Sequence, residues 1–504
     1  MLMGAPVRED TRLSLWQRVR TYAVPPATIE TATARRLAGD WAGACAAAGV
    51  DLDLTPRALA RTHGTELAAR VRADLRRLAP DLLRWHLPRT AEDGLLRPGL
   101  TVTLAVYDRH EAPGGGPPRP VHLVARTAPA WADAGQRISL ALWEGPPAGR
   151  DPRGWSADGP GAAAHPHPHP SRRFRLDLHR HLWDATRAGE LRGRSGADLL
   201  PALPAAPDDP PGPGWAVHRW AAEARLLLAA DGRGDAPVLV RLGARRRLLL
   251  APDPDGTLRT APAPGRGRAA PGAPGDRDAR WPAVLPDAAV WIPPDLALLR
   301  AGLVTPDDLH PLVAAALVPG HRPDPAARHA AADDADAVRT VECQGGTHRI
   351  GLVDGVLAPL DHDPAELRRE ELLVALSGTP LPCLRAIDEA HRSPTCLTGV
   401  RERLAHGDTA GALAVVEALL GPGAALRDGP LREALERAAT RRLLHGLYRA
   451  GLRATGPDDV PEPPPAPGSG PGGGRPRPPR GHRRAARTAR RLARRGHPRH
   501  AHLH

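Results

Sequence analysis

Proline and glycine punctuate this chain throughout, 59 and 52 of them among 504 residues, more than a fifth against about 12 % in average proteins. Proline ends a helix or strand by removing a backbone donor, and glycine weakens either through its conformational freedom. Regular elements must therefore be short and separated by many loops. The length permits roughly two to four domains and at least one full core. With 11 Trp, 3 Tyr and one Phe in the whole chain, Leu, Val and Ala must build that core. Trp16, Trp41, Trp85, Trp143, Trp183 and Trp291 sit in apolar-patterned segments and read as its large anchors.

Hydrophobic periodicity predicts an α+β protein in several pieces. Leu13, Trp16 and Val19 recur at helical spacing from Thr11 to Tyr22, Pro25 and Pro26 stop that helix, and a second runs from about Thr28 to Ala48. Thr55 before Pro56 marks a third start, with Thr as cap and Pro at the first helical position. From Leu100 the period falls to two, and with Val121 to Arg126 and Ile138 to Trp143 this predicts a three-stranded antiparallel meander. Residues 1–143 thus form a helical region with a β-meander, followed by a Gly/Pro/His linker at 144–170. Residues 171–318 carry helices and short hairpins, with Pro-rich breaks at 201–214 and 262–280. After a linker at 319–337, residues 338–452 hold a hairpin turning at Asp354-Gly355, a pair suited to tight turns, and then helices. Residues 456–504 are rich in Pro, Gly and Arg and are expected to be a disordered basic tail.

The run from Arg36 to Cys45 is echoed from Arg403 to Leu413. Each places a Gly-Asp pair, Gly39-Asp40 and Gly407-Asp408, between two helices with the Asp as cap. The turn resembles those of tetratricopeptide-type hairpins, but such arrays need contiguous units and here strands separate the copies.

All 69 basic residues are arginine, and Lys and Asn are absent. Lys, Asn and Phe are encoded by AT-rich codons, so a GC-rich coding sequence accounts for their scarcity and arginine content alone is no sign of nucleic-acid binding. The missing lysine removes the phosphate-binding P-loop, the kinase strand lysine and the pyridoxal-phosphate Schiff base. Asp388 to His391 spells the Asp-Glu-Ala-His box of certain helicases, but that box works with a P-loop lysine. Gly-x-Ser-x-Gly, His-Glu-x-x-His and paired Cys-x-x-Cys motifs do not occur, and no Gly-x-Gly-x-x-Gly fingerprint sits between a strand pattern and a helix pattern. Nucleophilic and dinucleotide chemistry are left without a nominee.

Three constellations remain. Cys343, His348, Cys383, His391 and Cys396 fall within one stretch and include the soft and borderline ligands that zinc takes, although their spacing matches no close-paired zinc knuckle. Buried cysteines in a strand and a helix explain them equally without metal. Asp177, His179 and His181 would share one face of a strand, as metal-site histidines do, but a solvated polar face explains them without metal, and in a helix His179 and His181 splay apart by about 200°. The third constellation is the tail, where Arg475 to His504 holds 11 arginines and no acid, so that the rest of a chain of net charge +13 is nearly neutral. If helical, Arg483, Arg484, Arg487, Arg490, Arg491, Arg494 and Arg495 would present a cationic face to nucleic acid, an acidic protein or an anionic membrane surface.

Four scattered cysteines, charged residues at Arg8, Glu9, Asp10 and Arg12, and the lack of a long apolar run predict a cytoplasmic protein without a transmembrane segment. The expectation is a non-catalytic interaction or scaffold protein with a protein partner. The alternatives are a nucleic-acid-associated protein working through its tail, and a zinc-stabilised domain or metal-dependent hydrolase.

Overall fold

A computed structural model of the chain describes residues 6–108, 120–145, 165, 167, 169–198, 214–234, 236–243, 246–252, 258–262, 282–322, 339–343, 346–354, 356–377 and 381–451. These residues form a mixed α+β structure with three small sheets. The first unit runs α1 (Pro6–Tyr22), α2 (Pro26–Leu37), α3 (Trp41–Ala47), β1 (Val50–Leu52), α4 (Pro56–Arg77), α5 (Pro80–His86), β2 (Thr101–Tyr107), β3 (Val121–Thr127) and β4 (Ile138–Trp143). The meander β2-β3-β4 is antiparallel, as its alternation predicts, and gains a fourth strand because β1 pairs in parallel with β4. The helix expected from Thr28 to Ala48 is two helices. Gly39 adopts a φ of +81°, and the Asp40 carboxylate accepts from the Gly43 amide at 2.8 Å, which starts α3. Thr55 caps α4 through the Ala58 amide at 3.3 Å.

The middle of the chain supplies α6 (Leu191–Ser195), α7 (Val217–Ala230), β5 (Val238–Arg241), β6 (Arg247–Pro252), β7 (Leu258–Pro262), β8 (Ala283–Val284), α8 (Asp287–Val290), α9 (Pro294–Arg300) and α10 (Pro311–Leu317). Strands β7, β6 and β5 are antiparallel neighbours, and β8 adds in parallel to β5. The last unit is the antiparallel sheet β9 (Arg339–Cys343), β10 (Gly346–Val353) and β11 (Val356–Pro359), then α11 (Pro364–Ser377), α12 (Pro382–Arg392), α13 (Leu397–His406), α14 (Thr409–Leu420) and α15 (Pro430–Arg449).

Cores do not follow chain order. The largest gathers α1, α4, α5 and one face of the meander, and also takes Phe174, Leu176 and Trp183 together with Leu296, Leu298, Val313 and Leu317 from α9 and α10. A second core lies between α7, β5 and α8 around Trp220, Val240 and Val290. A third joins α12 to α15, and a small fourth lies beneath β9 and β10. Trp85 and Trp183 are fully enclosed and Trp16 nearly so, whereas Trp41, Trp143 and Trp291 are half-buried.

Two buried charges fix how these pieces meet. Asp295, fully buried in the first turn of α9, accepts from Arg20 of α1 at 3.0 Å and from the indole of Trp85 in α5 at 3.1 Å. Burial alone would raise its pKa, but Arg20 and His86 outweigh that and hold it well below the usual carboxylate range. Arg84, also buried, donates to four carbonyl oxygens: Ala23 at 3.1 Å, Gln136 at 2.6 Å, Gly135 at 3.4 Å and His406 at 2.6 Å. The last belongs to α13, so this side chain ties the final unit to the first. Around it Tyr22 stacks on His406 and Trp131 meets Tyr448 edge-on. Among the described residues no helix is long and apolar enough to cross a membrane.

Candidate metal centre

β9 ends at Cys343, which the antiparallel register sets opposite Gly346 at the turn into β10. Cys383 lies in the first turn of α12, and Ile387, one turn on, faces the same way. Together Cys343, Ile350, Cys383 and Ile387 form the small core beneath the sheet. His362 follows β11 in the connection to α11 and is buried as well. One sulfur from each cysteine and one ring nitrogen of His362 all lie within 4.8 Å of one another. A strand end, a loop and a helix start thereby bring three donors to a single point.

The two thiols share a hydrogen bond, and burial together with that contact pushes the Cys383 thiol up to about 11. The ring of His348, in β10, stacks on His362 with centroids 4.2 Å apart and planes 13° from parallel. Nε2 of His362 and Nδ1 of His348 are buried with no hydrogen-bond partner. Unpaired nitrogens in a core are costly, and two thiols with an imidazole are a donor set zinc prefers. Cys343, His362 and Cys383 would hold such an ion, and His348 stacks on His362 outside the donor set. A hydrolytic zinc also needs a base poised near neutral pH. The carboxylate of Asp361, beside His362 in sequence, is instead paired with Arg349 at 2.8 Å, which lowers its pKa to about 2.

Of the five residues the sequence singles out, the structure brings Cys343 and Cys383 together and leaves His348 one ring away. His391 lies eight residues after Cys383 on α12, about 12 Å along its axis. Cys396 precedes α13 and packs on the third core. His362 was not among the five. Its signal is a histidine between two aspartates immediately after the last strand of the hairpin, but its proximity to Cys343 emerges only when β11 pairs with β10.

The other constellations read differently in three dimensions. Asp388 of the helicase-like string lies in α12 and pairs with Arg392 at 2.8 Å and Arg427 at 2.5 Å. The segment holding Asp177, His179 and His181 is neither strand nor α-helix; it is a series of turns around a 3-10 turn at Arg180–Leu182. Asp177 pairs with Arg175 at 2.7 Å, while His179 places one nitrogen 3.0 Å from the Arg175 carbonyl and the other 3.3 Å from Glu223. The arginines from Arg483 to Arg495 lie outside the described residues. Comparison of the chain with protein-family models, curated proteins and solved structures finds no match.

Proposed function

We propose that the protein is a zinc-stabilised, non-catalytic binding protein whose final unit, residues 339–451, is closed by a zinc ion on Cys343, His362 and Cys383. The convergence of those three buried donors within 4.8 Å carries the reading. Among the described residues the core under the sheet has four buried apolar side chains, two of them cysteines, and so small a core gains little from area alone. Zinc binding to a site absent from the unfolded chain adds directly to folding free energy. Leu352, Val353 and Val356, exposed at the tip of the hairpin that the ion would fix, support a protein partner as the target.

Purified full-length protein reconstituted with zinc and dialysed is expected to retain about one equivalent, and Cys383→Ser or His362→Ala to retain under about a tenth. A chelator should lower the thermal midpoint of the wild-type protein and leave Cys383→Ser unmoved. Wild-type protein holding less than a tenth of an equivalent overturns the assignment, and zinc-dependent turnover in a hydrolase screen replaces the structural role with a catalytic one.

A second reading rests on the run of 11 arginines without an acid from Arg475 to His504. Such a segment binds polyanions with an affinity that falls steeply as salt rises. Deletion of residues 475–504 is expected to abolish salt-sensitive binding to a DNA or RNA oligomer in a mobility-shift titration; unchanged binding disposes of it.

A further inference from the structure

A cavity of about 130 Å³ opens where the first and second cores meet. Its wall is apolar and aromatic, formed chiefly by Trp16, Leu87, Phe174, Leu191, Trp291 and Ile292. In a chain with 15 aromatic residues, three of them, including the single phenylalanine, line this one space. An apolar cavity of roughly 150 Å³ admits a benzene ring, so the size fits one ring with little to spare.

Most polar groups in the wall are engaged with partners behind it. Asp287 is held by Arg173 at 2.6 Å, Arg194 by Glu223 at 2.6 Å, and Ser195 donates to the Arg192 carbonyl at 3.1 Å. His86 places Nδ1 3.2 Å from the Leu182 carbonyl. Three histidines of the wall keep a buried ring nitrogen without a hydrogen bond, but Nε2 of His86 lies 3.6 Å from Asp295 and Nε2 of His179 3.3 Å from Glu223, whereas Nδ1 of His181, a residue 4 % exposed, faces no such carboxylate among the described residues. The groups that act most on it are His179, Arg194, His86 and Arg187, while the nearby acids Glu223 and Glu190 are paired with His179 and Arg194 and with Arg187. Burial, then these neighbours, keep the ring neutral, so it presents one donor and one acceptor nitrogen. A folded chain rarely leaves such a group unmatched.

We propose that this cavity binds a phenol-sized aromatic molecule carrying one hydroxyl, with the ring packed against the parts of Trp16, Phe174 and Trp291 that line the space and the hydroxyl hydrogen-bonded to the imidazole of His181. Trp215 and arginine guanidinium groups lie over the faces of these three rings, so edge contacts with them select a flat ring over an aliphatic chain of equal volume. The histidine selects the hydroxyl, because an analogue lacking it leaves the imidazole unpaired. This inference does not depend on the metal centre, which lies in a different unit.

Phenol and toluene, nearly equal in size, are the probes. Titrated into full-length protein, phenol is expected to quench tryptophan fluorescence saturably with a dissociation constant below about 1 mM, and to raise the thermal midpoint. Toluene should bind at least about tenfold more weakly, the worth of one hydrogen bond. His181→Leu should bind the two alike, with phenol reduced to the level of toluene, and Leu191→Trp, which fills the space, should bind neither. Absence of saturable phenol binding overturns the proposal, as does equal affinity for the two probes in the wild-type protein or unchanged phenol binding in His181→Leu. Should both variants fail to fold, the phenol-to-toluene comparison on wild-type protein decides alone.

Discussion

Asp40 and Asp408 solve the same local problem twice. Each ends a helix connection, accepts from the amide three residues on, Gly43 at 2.8 Å and Gly411 at 2.9 Å, and is itself held at 2.9 Å by an arginine five residues earlier, Arg35 and Arg403. A Cβ on Gly43 or Gly411 would strike that carboxylate, so glycine is needed there for room. Asp408→Ala is expected to cost about 1 kcal/mol. Gly411→Ala should cost about the same, and the double variant no more than either alone, because one contact is lost in each case; urea denaturation of the three variants measures it. These caps were legible in the sequence, since a cap is a short-range contact between residues three apart. His362 was not, since its partners Cys343 and Cys383 lie 19 and 21 positions away and only the assembled sheet and α12 bring them within reach.

Alternation located β2, β3 and β4, and the Asp354-Gly355 pair marked the turn between β10 and β11. β1 escaped because three residues are too few to show a period. The segment from Phe174 to Trp183 misled for a different reason. Phe174, Leu176 and Leu182 enter the first core while Leu178 packs on the second. Its alternation comes from a chain wedged between two cores. Helix packing, too, rests on contacts no pattern shows: Asp295, Arg20 and Trp85 join α9, α1 and α5 although 275 positions separate the first two. Asp295→Ala leaves the Arg20 guanidinium buried and unpaired, which costs about 3–5 kcal/mol. Replacing both together, as Asp295→Leu with Arg20→Met, should recover most of that loss, read from denaturant midpoints.

At the scale of the molecule, the final unit is bound to the first around His406. Burial, with Arg89, Arg84 and Arg18 facing it, lowers the pKa of His406 to about 3; Glu402, on its own helix, lies 3.7 Å away. Its unfolded value is near 6.5, so between these limits the unfolded chain binds a proton that the folded chain refuses. Stability from this residue is therefore complete above pH 6.5 and is lost progressively as pH falls toward 3. His165, lowered to about 4 by burial, acts in the same direction. At pH 5 the loss from His406 is about 2 kcal/mol. Thermal midpoints of wild type and His406→Gln, followed from pH 7.5 to 5, should diverge, with the variant showing the shallower slope. Parallel curves remove His406 as the cause.

Arg84 holds that junction by donating to four carbonyl oxygens and to no side chain. Next to it Gly407, at a φ of +91°, comes so close to the Gly135 carbonyl that a Cβ would collide. Every amino acid carries the same carbonyl, so most of what Arg84 recognises is indifferent to mutation. The contacts of Arg84 therefore survive substitution of the residues they reach, whereas the stack of Tyr22 on His406 and the close approach at Gly407 do not.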